Sequence, residues 1–254
     1  MIDVDIDSSM ATFGAERVIW EKKFRERSQN RTAHYSYMHN TWQVFEQAGA
    51  GDMWKLERAI KAGGDVVWHN PKRGDRTALM QAAMMGQLDA VNLLIAKGAN
   101  LDATDRNGAT AIMLSVQKGE AGCISALIQS GADVNVRDLQ GATALMWACD
   151  NDNLDIAKEL LKNGADQTLT DKNGNFPFIK ACAEAKMEVI TLLISYGAPL
   201  YLEHKDGYTG LQLAQNCGHR QVVDLIKRSI EEMDRREQEQ AELEEALLDA
   251  EGNF

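Results

Sequence analysis

Along residues 75–229, apolar positions recur at helical spacing in short runs broken by glycine. The segments "TALMQAA", "TAIMLSV" and "TALMWAC" open on Thr77, Thr110 and Thr143. A threonine there can accept hydrogen bonds from the orphan amides of a helix N-terminus. Small residues follow, Ala78, Ala82 and Ala83 around Leu79 in the first segment, so such a helix can lie close to a neighbour. A break at Gly86 or Gly119 precedes a second helix, with Val91, Leu94 and Ile95 at helical spacing. Gly98, Gly131, Gly164 and Gly197 fall where a left-handed cap is needed. A polar turn, "DRNG", "DLQG" or "DKNG", then leads into the next unit. The predicted elements are therefore pairs of short helices joined by turns.

These pairs repeat. Gly108, Gly141, Gly174 and Gly207 are 33 residues apart, as are Gly98-Ala99, Gly131-Ala132, Gly164-Ala165 and Gly197-Ala198. Thr77, Thr110, Thr143 and Thr209 keep the same frame, with Phe176 in the remaining slot. One helix pair cannot bury its apolar face alone, so the units must stack. The 33-residue period, with "GATALMWA" and "GNFPFIKA", resembles the ankyrin repeat family and its T-P-L-H-x-A signature. The proline of that signature survives only as Pro177, with Ala78, Ala111, Ala144 and Gly210 in the other units. Its histidine is replaced by Met80, Met113, Met146, Ile179 and Gln212, which weakens the hydrogen bonds that histidine makes in the family and leaves the implied fold intact.

The resemblance implies an all-α ankyrin-repeat solenoid of about six stacked helix-turn-helix units, with helices flanking it at both ends. A degraded first unit, "WQVFEQAGAGDMWKLERAIKAGGD", aligns if two extra residues are allowed near Pro71. The expected domains are an N-terminal extension at 1–40, the repeat domain at 41–229 and an acidic helix or tail at 230–254. Within the extension, "FGAERVIWEKKFRER" suggests an amphipathic helix whose Trp20 and Phe24 pack on the solenoid or bind a partner.

Charge narrows the function. The chain carries a net charge of −11 over 254 residues, which disfavours a nucleic-acid surface. Between Glu231 and Glu251 ten acidic residues face only Arg235 and Arg236, a local balance of −8, so the body is close to neutral. No apolar run reaches membrane-spanning length. Four cysteines without a secretory signal point to a reducing, cytoplasmic setting. Cys149 and Cys182 share a repeat position that Ala83 fills earlier; with Cys123 they read as small core residues, and Cys217 as exposed. No CxxC, HExxH or phosphate-loop pattern is present, so no catalytic, metal or cofactor site is expected. His219 and Asn135 read as turn-stabilising residues.

The resemblance also implies where a partner binds: the turn tips and the exposed face of each first helix, on the concave side. In this chain the tip positions are Arg106, Asn107 and Ala109; Leu139, Gln140 and Ala142; Lys172, Asn173 and Asn175; and Lys205, Asp206 and Tyr208. The helix-end positions are Met84 and Met85, Gln117 and Lys118, Asp150 and Asn151, and Ala183 and Glu184. Arg137 adds to a basic tendency in the middle. Trp147 has two open readings, an interface anchor or packing against a neighbouring repeat. The expected function is a non-enzymatic protein–protein interaction module, an adaptor, a scaffold or a subunit of a larger assembly. The alternative is a regulator that occludes an enzyme or transcription factor. The partners expected are one or more proteins, without nucleic acid, membrane insertion or a small-molecule substrate.

Overall fold

The computed structural model describes residues 31–251. The expected amphipathic helix at 13–27, with Trp20 and Phe24, lies outside the described residues. Among the described residues, twelve α-helices form six consecutive pairs: α1 (Arg31–Ala50) with α2 (Met53–Lys61), α3 (Ala78–Met84) with α4 (Leu88–Ala96), α5 (Ala111–Lys118) with α6 (Ala121–Gln129), α7 (Ala144–Asp150) with α8 (Leu154–Lys162), α9 (Pro177–Ala183) with α10 (Met187–Ser195), and α11 (Gly210–Asn216) with α12 (Arg220–Glu251). First helices contact first helices of adjacent pairs, and second helices contact second helices, so the stack has two ranks. One apolar core runs through it, from Val44 in α1 to Ile226 in α12.

The cap chemistry explains why each helix starts and stops. The side chains of Thr77, Thr110, Thr143 and Thr209 accept from the backbone amides of Met80, Met113, Met146 and Gln212. Phe176 offers no such bond, and Pro177 takes its place at the first helical position, where a missing amide does no harm. At the other end of each unit, Gly98, Gly131, Gly164 and Gly197 have φ of 80°, 90°, 83° and 77°. The alanine after each glycine donates its amide back into the helix, Ala99 to Leu94 O at 3.0 Å and Ala198 to Leu193 O at 3.0 Å. This six-to-one closure is why glycine is followed by a small residue that the core can bury.

Three local features differ from the simple repeat. The two extra residues near Pro71 lengthen one hairpin enough for a two-residue antiparallel ladder, His69–Asn70 (β1) against Arg76–Thr77 (β2), around a 3-10 turn at Pro71–Arg73. The turn between paired helices is left-handed at Gly86, Gly119 and Gly218, but at Asp152 (φ 56°) and Ala185 (φ 55°) it is held without glycine. Finally, α1 is a single 20-residue helix that begins well before Trp42, more than twice the length of the first helices in the later units.

Candidate protein-binding face

Three successive hairpins between units are each built on one aspartate. Asp105 Oδ1 accepts from the amides of Asn107 (2.8 Å) and Ala109 (3.0 Å). Asp138 does the same for Gln140 (2.7 Å) and Ala142 (2.9 Å), and Asp171 for Asn173 (2.8 Å) and Asn175 (2.9 Å). In the last hairpin His204 Nδ1 takes over, accepting from Asp206 N at 3.1 Å. Burial would raise the Asp171 pKa, but the hydrogen bonds from Asn175 and Asn173 and the charge of Lys180 outweigh it and lower the value. The hairpins are then joined to one another. Arg106 N donates to Gly74 O at 2.7 Å, Leu139 N to Asn107 O at 2.9 Å and Lys172 N to Gln140 O at 2.8 Å. The tips of these units thus form a continuous edge rather than isolated loops.

The side chains assigned to a partner divide into two groups on this scaffold. Several are tied to it. Arg106 pairs with Asp75 at 3.4 Å and donates to Pro71 O at 2.9 Å. Arg137 donates to Gly141 O at 3.2 Å and also to Thr170 O. Met84 Sδ accepts from Arg76 at 3.2 Å. Asp150 pairs with Lys180 at 2.5 Å and Glu184 with Lys186 at 3.0 Å. Asn175 Nδ2 donates to Asp171 at 3.0 Å, and Tyr208 is half-buried against the His204 ring, with centroids 4.7 Å apart. Ala109 is buried. Trp147 is half-buried against the core and donates its indole N–H to Asp138 Oδ2 at 3.2 Å, so packing accounts for most of this residue.

The second group is exposed: Met85, Asn107, Gln117, Lys118, Leu139, Gln140, Asn151 and Lys172. Met85 and Leu139 are 47% and 56% exposed, a large apolar excess at positions with no packing duty. Glu46 on α1, a residue that no repeat motif marks, is half-buried. Burial raises its pKa, Arg73 opposes the rise, and its Oε1 is buried without a hydrogen-bond partner among the described residues.

A family model described as "Ankyrin repeats (3 copies)" matches three times, over residues 51–138, 79–171 and 145–236. The chain belongs to the ankyrin repeat family. A search of curated proteins returned no match. The ankyrin units account for the residue that follows each inter-helix turn. Asn153 donates to Val116 O at 3.4 Å, Lys186 to Cys149 O at 3.0 Å and Asp150 O at 2.8 Å, and the His219 ring meets Ala183 O at 3.1 Å. Each reaches a last-turn carbonyl of the preceding unit's first helix, where the regular intrahelical bonds run out. Burial would lower the Lys186 pKa, but hydrogen bonds to Glu184 and Asp152 raise it instead. Asn135 is likewise used between ankyrin units: its Nδ2 donates to Gly164 O at 3.0 Å and its Oδ1 accepts from Asp166 N at 2.8 Å.

The thiols follow from the same packing. Cys123, Cys149 and Cys182 are buried and Cys217 is exposed. Burial pushes the Cys149 and Cys182 pKa values up to about 12, and that of Cys123 to about 11. A protonated, enclosed thiol is a poor nucleophile. Mass analysis after brief iodoacetamide treatment of the native protein should therefore show one alkyl group, at Cys217, and four after denaturation. Stability should also fall at alkaline pH. Unfolded thiols ionise near pH 9 while those of Cys149 and Cys182 wait until about pH 12, so the unfolded state binds fewer protons in that window. Their contribution is fully present below pH 9 and is lost as the pH rises through the window. Replacing both cysteines with alanine should flatten that part of a stability-versus-pH curve; an unchanged slope would show that these thiols are not responsible.

Proposed function

We propose that the chain is a non-enzymatic interaction module of the cytoplasm, an adaptor, scaffold or stable subunit of a larger assembly. It binds a protein through the hairpin tips and the exposed ends of its first helices. Ankyrin repeats generally mediate protein–protein interaction, and one observation supports this face in particular. Met85 stands exposed at the end of α3, and Leu139 stands exposed at a hairpin tip whose backbone is bonded to the tip before it. Exposed apolar side chains without a packing role are the usual anchors of an interface. Around them Gln117, Lys118, Gln140 and Asn151 supply an exposed polar rim.

The test is capture of partners by the full chain under mild conditions, with identification by mass spectrometry. Met85→Glu combined with Leu139→Glu should weaken capture by about 30-fold or more, the effect of losing an anchor of about 2 kcal/mol. Melting should hardly move, because exposed substitutions usually stay within about 0.5 kcal/mol. Unchanged capture by the double variant would sink this assignment. Recovery in one stoichiometric complex supports the subunit reading. A single partner whose activity falls on binding supports instead the regulator that acts through the concave face.

A further inference from the structure

One row along the first helices ends on an acid. Once the two extra residues near Pro71 are allowed for, Glu46 of α1 stands where Gln81, Leu114, Trp147 and Lys180 stand in the units that follow. Each of those four is provided for inside the stack. Gln81 lies against Gly49, Leu114 is buried, Trp147 donates to the turn aspartate Asp138, and Lys180 pairs with Asp150 of the unit before it. Among the described residues, α1 has neither a unit nor a hairpin before it, and begins instead with extra turns from Arg31 to Thr41. Glu46 therefore has no such provision. Its Oε1 is buried without a hydrogen-bond partner, and the exposed Arg73 acts on it only through space.

The extra turns bring rings to the same side of the helix. Tyr35, His39, Trp42 and Glu46 follow at steps of four, three and four residues, which makes one stripe of α1. The Tyr35 and His39 rings stack with centroids 6.3 Å apart, and the His39 and Trp42 rings lie 6.5 Å apart. Tyr35 and His39 are exposed, whereas Trp42 and Glu46 are half-buried, so the stripe deepens toward the carboxylate. A buried carboxylate oxygen without a hydrogen bond is costly to the folded state. Aromatic faces attract positive charge. A cationic N–H donor satisfies both.

We propose that this stripe binds a lysine or arginine side chain of the partner protein, with Glu46 as its counter-charge and Trp42 and His39 beside it. The proposal rests on the reading of the chain as a protein-binding module, and names the chemistry its partner must present. Glu46 Oε1 accepts from the incoming N–H group, while the rings cover the apolar stem of the same side chain and keep water from the bond. The site is local to the first unit and does not use Met85 or Leu139.

Titration of the full chain with matched short peptides tests this, at about 150 mM salt so that distant charges are screened. The probes are tetralysine against its side-chain-acetylated form, and tetra-arginine against tetracitrulline. Indole N–H signals in NMR report binding. At least one charged peptide should shift the Trp42 signal and bind about tenfold or more tightly than its neutral twin. Glu46→Gln should erase that preference and leave helical content and the affinity for the neutral peptide unchanged. Because the chain is acidic overall, Glu239→Gln with Glu242→Gln controls for diffuse attraction and should bind like the wild type. The proposal is overturned if neither charged peptide is preferred, if the preference survives Glu46→Gln, or if the tail control loses it instead. Binding that appears only after Lys22, Lys23, Arg25 and Arg27 are replaced by glutamine also overturns it, because the chain's own cations then hold the site. Met85→Glu with Leu139→Glu should bind the charged peptide normally, so this site can fail while capture through Met85 and Leu139 stands, and the reverse.

Discussion

Replacing Gly108 with alanine should destabilise the solenoid by about 3 kcal/mol or more, while the same change at Gly131 should cost only about 1 kcal/mol. Both glycines are left-handed, with φ of 78° and 90°, so both share the conformational cost of a β-carbon there. They differ in what that carbon would meet. At Gly131 nothing lies within 4 Å. At Gly108 it would stand 2.6 Å from Leu139 N and 3.0 Å from the Asp138 backbone. Neither neighbour is a flexible side chain, so relief requires the hairpins of two units to move apart. That movement breaks the bond from Leu139 N to Asn107 O that joins their tips. Urea unfolding followed by circular dichroism measures both costs. Equal losses at the two positions would mean that the close approach of adjacent hairpins contributes little, and that only the cap conformation matters.

The contrast between these glycines also shows what could be read from the chain without coordinates. Elements fixed by local chemistry were legible. A threonine before an apolar run caps because its hydroxyl reaches an amide three residues on, and a Gly-Ala pair ends a helix because of the bonds it closes with its own last turn. Stack architecture followed from the period, because identical units with one apolar face have only each other to bury it against. The buried and exposed cysteines fell out of the same frame.

The binding face was legible only as a set of positions. Whether a side chain at such a position is available depends on pairing across about thirty residues, as between Asp150 and Lys180 or between Arg137 and Thr170, and no local pattern encodes that. Arg137, Asp150, Glu184 and Tyr208 stand at partner-reading positions and each also makes a contact within the scaffold, while Arg137, Asp150 and Glu184 stay exposed. Trp147 has the same status, since its indole is bonded to the turn aspartate of its own unit. The aspartates themselves read as loop polarity; the signal was their fixed place three residues before each tip glycine. Nothing local marks the left-handed turns at Asp152 and Ala185, because glycine, the usual marker, is absent there.

Phe178→Ala should cost about 3–5 kcal/mol, the usual range for emptying a fully buried aromatic site, and its neighbour Gly210 gives the result a sharper test. Phe178 occupies the position held by Leu79, Ile112 and Leu145 in the preceding units, and is larger than any of them. Gly210 opens α11 where Ala78, Ala111, Ala144 and Pro177 open the others. Its φ is not in the left-handed region, so conformation does not demand glycine. Space does: a β-carbon there would lie 2.7 Å from Phe178 Cε1, 3.0 Å from its Cδ1 and 3.1 Å from Cys182 Sγ. The large residue in the fifth unit and the missing side chain in the sixth are one packing solution shared across a seam. Gly210→Ala alone should therefore destabilise by about 1–3 kcal/mol through overpacking, although alanine is intrinsically the better helix former. In a Phe178→Leu background the clash with the ring is relieved and only the tight approach to Cys182 Sγ stays, so the same substitution should become close to neutral. The double-mutant cycle then yields a coupling of about 1–3 kcal/mol. Additivity within about 0.5 kcal/mol would show that the two units tolerate each other's volumes independently, and that Gly210 is not there to make room for Phe178.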